Sequence, residues 1–257
     1  MSSNTMGTPG ASASTRRAGS GLDLWILLAA AAVALVAVLV SAYTAPKALD
    51  PPRNLGIAQK IFYVHVVNVL PTYLSFVLSA IGAVAFLRTG RDGWDRFSHA
   101  SAEVGLFFCS LLLITGSIWG RASWGHWWEL GDLRLQTTAV LWFVYVGYLF
   151  LRAFAVGDQM RRTAAIVAIA GTLVIPFVTF ALRFAGGRTI HPPSDEQNAA
   201  ISLAQRICTI AFAVIFAYLL RLRVVVAHAE ASAEEAAVLG ESAADPSGLR
   251  VGLGASR

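Results

Sequence analysis

Six long apolar runs, set apart by short polar breaks, constrain this chain more than any other feature. They cover Leu24 to about Ala45, then 61–87, 101–119, 138–156, 164–185 and 201–222. A bilayer span needs about 20 mainly apolar residues, and each run is of that order. The first is longer than the apolar core of a cleaved signal peptide, about 7–15 residues, so it reads as a retained helix. No period-two alternation with regular turn signals is present, which argues against a membrane β-barrel. The reading is an all-α integral membrane protein, a bundle of six transmembrane helices. Composition agrees: 14% of residues are charged, against about 25% in soluble domains, too few to cover a water-facing surface.

The breaks carry the charge. Of the 20 basic residues, 18 are Arg, scattered between the runs with no basic stripe, so nucleic acid is not indicated. With a cytoplasmic N-terminus, ten basic residues near helix ends face inward (Arg16, Arg17, Arg88, Arg91, Arg96, Arg152, Arg161, Arg162, Arg221, Arg223). Seven face outward (Lys47, Arg53, Lys60, Arg121, Arg134, Arg183, Arg188). This bias places both termini in the cytoplasm. Residues 1–22 read as a disordered tail, 23–225 as the membrane domain, and 226–257 as a cytoplasmic tail, helical at first and then disordered. Cys109 and Cys208 lie inside apolar runs and read as small buried hydrophobes.

The outer loop 119–137 is unusual, because Trp119, Trp124, Trp127 and Trp128 crowd into ten residues with Gly120, Arg121, Gly125, Asp132 and Arg134 nearby. Two readings are open: an interfacial aromatic belt, or an apolar ledge for a large planar ligand whose carboxylates an Arg would meet. Two histidines map to the same side. His65 lies 22 residues from Leu87, about 33 Å of helix at 1.5 Å per residue, at the outer edge of the hydrocarbon layer. His191 sits in the outer loop 186–200, in Arg188-Thr-Ile-His191-Pro-Pro. Imidazole is a standard haem-iron ligand, so the pair is a candidate axial set. His99 and His228 read as surface residues on the cytoplasmic side. Arg206, near the start of the sixth run, reads either as a functional intramembrane charge or as one that snorkels to the interface.

Over about residues 22–225 the chain resembles the CcmC branch of the haem-handling proteins of cytochrome c biogenesis. The likeness rests on the six runs, Tyr63-Val-His65, the Arg-Thr-Ile-His191-Pro-Pro loop, and Trp124-Gly-His-Trp127-Trp128-Glu-Leu-Gly-Asp132-Leu-Arg134-Leu-Gln-Thr137. The last is similar to that family's WWD signature, departing from it at Leu130, where a third Trp is usual, and by one extra residue before Asp132. The resemblance implies haem binding on the outer face of a bacterial cytoplasmic (inner) membrane and delivery to a haem chaperone, CcmE. It implies haem b as cargo, association with CcmA, CcmB and CcmD, and no catalysis by the chain itself. It assigns His65 and His191 as axial ligands and the four tryptophans as the ledge. Arg121, Arg134 and Arg188 are the candidates for the propionates, and Asp132 for orienting the loop or pairing with an Arg. A bis-His electron-transfer cytochrome is disfavoured because no inner His pair lies in the helices. A solute or haem transporter is disfavoured because the run centres, Pro71 and Pro176 aside, are apolar.

Overall fold

In a bilayer the backbone must satisfy its own hydrogen bonds, so apolar runs become helices. The computed structural model describes residues 11–44, 60–154, 157–184 and 203–244, and no strand occurs among them. The helices are α1 (Ala11–Thr44), α2 (Ile61–His65), α3 (Val69–Thr89), α4 (Asp92–Trp124), α5 (Leu133–Ala153), α6 (Asp158–Thr172), α7 (Val174–Phe184) and α8 (Leu203–Ala244). One 3₁₀ turn, Val66–Asn68, joins α2 to α3. Six stretches are long and apolar enough to cross a membrane, as the sequence led us to expect: Gly21–Val40, Tyr63–Thr89, Asp92–Trp124, Leu133–Ala153, Asp158–Phe180 and Leu203–Gly240.

Several boundaries differ from the hydropathy reading. α1 starts at Ala11, inside the segment read as a disordered tail, and α8 runs unbroken to Ala244. The second and fifth runs are not single helices, and proline is the reason. A proline at position i removes a donor to the carbonyl of i−4. Pro176 leaves Thr172 without that donor, and α6 ends there in a turn at Leu173 whose N–H reaches the Ala170 carbonyl (3.1 Å). Pro71, in the first turn of α3, does the same to Val67 beside the 3₁₀ turn. Side chains also bond to the backbone around the 3₁₀ turn. Asn68 Nδ2 donates to the Val64 carbonyl (2.8 Å) and Thr72 Oγ1 to the Asn68 carbonyl (2.7 Å).

Lipid tails are as apolar as the helices, so close packing of small residues has to drive association. α3 and α4 form a hairpin across Ser79, Ala83, Ser98 and Ala102, and Ser98 Oγ donates to the Ser79 carbonyl at 2.8 Å. Phe76 presses on Gly105, where an added methyl would stand 2.6 Å from its ring. Phe76 also stacks on Tyr145 of α5 with ring centroids 3.7 Å apart. The Tyr145 hydroxyl bonds Thr172 Oγ1 (2.8 Å) and the Ala168 carbonyl (3.0 Å) of α6. α1 lays Ala34 and Val38 on Cys208, Ala211 and Phe212 of α8. Cys109 and Cys208 are free and fully buried, as expected.

The end of the bundle remote from the tryptophan stretch 119–128 is ionic. Asp95, 5% exposed, accepts from Arg152 Nη1 (2.8 and 3.0 Å) and Arg161 Nε (2.9 Å), joining α4, α5 and α6. Arg223 of α8 pairs with Glu103 at 2.5 Å. The segment Arg88–His99, read as a polar break, is therefore mostly the first turns of α4. His99 is half-buried rather than on the surface, 3.6 Å from Glu103 and against Tyr148. His228 is exposed as expected, and Arg96 Nε donates to its Nδ1 at 3.3 Å.

Candidate functional site

The site is built where α2, the start of α3, the end of α4 and the start of α5 meet. α3 and α4 are antiparallel across a short turn, so the approach to α3 lies beside the last turns of α4. There His65 seats its ring on the α4 backbone. A methyl on Gly116 would stand 2.8 Å from His65 Cε1, so only glycine leaves room for the imidazole at this spacing. His65 Nδ1 is 3.0 Å from Thr115 Oγ1. The Trp119 ring lies 5.8 Å from the imidazole at 45°, and Trp124 lies 5.4 Å from Trp119 at 50°. Thr115, Gly116 and Trp119 occupy one turn of α4, and together they fix the imidazole from one side.

The tryptophan stretch is more helical than expected. α4 continues through Trp124 and closes at Gly125, whose φ of 82° suits a residue without Cβ. Gly125 N–H bonds the Arg121 carbonyl at 3.2 Å, and the Arg121 guanidinium donates to the Gly125 carbonyl. The true loop is 125–132. Glu129 ties it together: its carboxylate accepts from Gly131 N–H and its carbonyl from Asp132 N–H and Gln136 Nε2, each at 3.2 Å. Asp132, 1% exposed, then caps α5, Oδ1 accepting from Arg134 N–H (3.0 Å) and Leu135 N–H (3.1 Å).

A cleft of about 310 Å³ opens at this junction, at the lower end of the range for small-molecule sites. Its walls include His65, Tyr73, Gly116, Trp119, Trp128 and Arg134, with Val178 and Thr179 supplied by α7. The four tryptophans do not form a single ledge. Trp119 is buried at 7%, Trp128 lines the cleft half-buried, and Trp127 turns outward with 60% of its surface exposed. Of the three arginines, Arg134 joins the cleft wall, whereas Arg121 is turned onto its own helix cap. Arg206 projects outward from the first turn of α8, as an interfacial residue would. His191 and Arg188, with the rest of loop 186–200, lie outside the described residues.

Sequence reasoning missed Thr115, Gly116, Tyr73 and the α7 wall. Thr115-Gly116 was visible as a break in the apolar stretch Leu111-Leu-Leu-Ile, one turn before Trp119. Its meaning needed the partner histidine, 50 residues away.

Known proteins resemble much of the chain. Over 168 residues it is 31% identical to a ccmC-like mitochondrial protein of cytochrome c biosynthesis from Marchantia polymorpha (65% of this chain, 68% of that protein). Over 169 residues it is 31% identical to heme exporter protein C of Bradyrhizobium diazoefficiens (65% and 62%). Over 152 residues it is 30% identical to heme exporter protein C of Escherichia coli (59% and 61%). The chain thus spans roughly three-fifths of the length of these bacterial relatives. Residues 9–238 match the family profile described as heme exporter protein C. With six membrane-length helices and a match across most of its length, this chain belongs to the CcmC family.

Proposed function

We propose that the chain binds haem in the cleft beside His65 and passes it to a CcmE-type haem chaperone for cytochrome c maturation. The observation that carries this reading is the convergence of His65, Trp119, Trp128 and Arg134 on one cleft. An imidazole supplies an iron ligand, indoles supply flat apolar walls, and a guanidinium supplies a carboxylate partner. Those are the demands of a dianionic planar macrocycle with a metal centre. Haem b is cargo here. The chain's own work is to hold the macrocycle and to release it, and no residue is assigned a catalytic role. By the family resemblance, His191 supplies the second axial ligand; Arg188 is a further candidate beside Arg134 for the propionates, on the chemistry of the guanidinium. Trp127, turned outward at 60% exposure, is placed to meet the chaperone rather than the macrocycle, and Trp124 and Trp119 support the wall.

The setting is a bacterial cytoplasmic membrane with both termini inside and the cleft on the outer face. The ten-to-seven bias of basic residues supports this orientation. CcmA, CcmB and CcmD are the partners that the family names imply. The test is the absorption spectrum of the purified full chain with haem added. A low-spin Soret signature that His65→Ala and His191→Ala each abolish supports the reading. A full chaperone–haem adduct and an unaltered spectrum in both variants refutes it.

A further inference from the structure

Thr115 is in hydrogen-bonding contact with one nitrogen of His65, Nδ1. Its Oγ1 lies 2.6 Å from the Leu111 carbonyl oxygen, 3.3 Å from the Leu112 carbonyl oxygen and 3.0 Å from His65 Nδ1. A hydroxyl has one proton to donate and two lone pairs. Two oxygens 2.6 Å apart repel unless a proton lies between them, so the Thr115 proton is committed to the helix carbonyl. Toward His65, Thr115 is left with a lone pair alone. A neutral imidazole meets a lone pair only with a protonated nitrogen.

We propose that Thr115 is a positioning residue that holds His65 as the Nδ1–H tautomer, so that Nε2 carries the lone pair offered to the metal before any ligand arrives. The role rests on the reading of His65 as an iron ligand. Two other features reinforce it. The clearance at Gly116 and the tilted Trp119 ring restrict the same imidazole in position and in plane. The contact at Nδ1 is thus made by a helix hydroxyl whose proton is already spent, and a neutral partner at that nitrogen pushes less electron density across the ring than a carboxylate there would.

The experiment uses the full chain labelled with ¹⁵N-histidine, without haem, at alkaline pH where imidazole is neutral; His65→Gln identifies the resonances. The wild type should show one tautomer, Nδ1 protonated and Nε2 bare. Thr115→Val keeps the shape, removes the acceptor and should give a mixture, and Thr115→Ser should restore the single form. On loading, Thr115→Val should lose about 10- to 100-fold in haem affinity, and Thr115→Ser should recover it. An unchanged tautomer in Thr115→Val overturns the proposal whatever the haem spectrum shows. An unaltered haem spectrum in His65→Ala overturns the ligand reading beneath it. The two failures are distinguishable because the haem-free resonances do not depend on haem.

Discussion

Gly116→Ala isolates the geometry of the His65 seat. The added methyl would stand 2.8 Å from Cε1, 3.4 Å from Nδ1 and 3.6 Å from Nε2. Ordinary carbon contacts lie at about 3.5–4.0 Å, so the ring must withdraw by roughly 0.7–1.2 Å. That movement takes the 3.0 Å Nδ1···Thr115 contact beyond hydrogen-bonding range. The net loss of stability should be no more than about 2 kcal/mol. Overpacking costs about 1–3 kcal/mol, while replacing a mid-helix glycine by alanine returns about 1 kcal/mol. Binding should register it strongly, because a ligand displaced by about 1 Å can cost on the order of 100-fold. Gly147→Ala is the matched control: it lies within α5, and a methyl there meets nothing within 4 Å. It carries the propensity gain without the steric term. The assay is haem titration of purified full chain beside thermal unfolding in the same detergent. A folded chain in both variants, with unfolding shifted by no more than these amounts and haem affinity lost only in Gly116→Ala, is the expected pattern. Equal haem affinity in the two variants would refute the idea that the Gly116 clearance positions His65.

Other predictions follow from the same contacts. Asp95→Asn removes the negative charge that Arg152 and Arg161 share and turns one of its two acceptor oxygens into a donor, and should destabilise the bundle by about 3 kcal/mol, whereas Asp92→Asn, at a carboxylate 58% exposed, should cost about 1 kcal/mol or less; thermal unfolding that ranks the pair otherwise contradicts the account. Trp128→Ala should release haem, while Trp127→Ala should leave haem binding intact and lower the yield of chaperone–haem adduct, with Trp25→Ala, 70% exposed on α1, as the unaffected control. Cysteines placed at the exposed Ala122 and Arg91 should label from opposite sides of the membrane, Ala122→Cys from outside; the buried native thiols give little background, and labelling of Arg91→Cys from outside would invert the topology.

The Trp cluster was legible, yet its four members have three different environments. Trp119 is drawn into the bundle by His65, Trp128 meets the cleft, and Trp127 is turned out by the loop after Gly125. Spacing alone cannot separate them, because burial depends on which neighbouring helix each indole meets. The polar break Arg88–His99 was misjudged for a related reason. Its charges look unfavourable in a membrane-length helix until Arg152 and Arg161 reach Asp95 from positions 57 and 66 residues away. Part of the miss was avoidable. Pro71 and Pro176 were visible in the sequence, and the loss of a donor at i−4 is a local rule.

What the sequence determined by itself is the number of spans, the all-helical class and the placing of His65 at the same end as the tryptophans. Hydropathy and the fixed rise of a helix are one-dimensional quantities, and in a bilayer they leave the chain little choice. Only the tertiary structure decided that Thr115 meets His65 across 50 residues and that Gly116 makes room for the ring. It also decided that Arg134 rather than Arg121 joins the cleft, and that Asp95 binds three helices into one ionic end. The physical reason is that hydrogen bonds and steric clearances act over about 3–4 Å. They become defined only when packing brings distant turns to that distance.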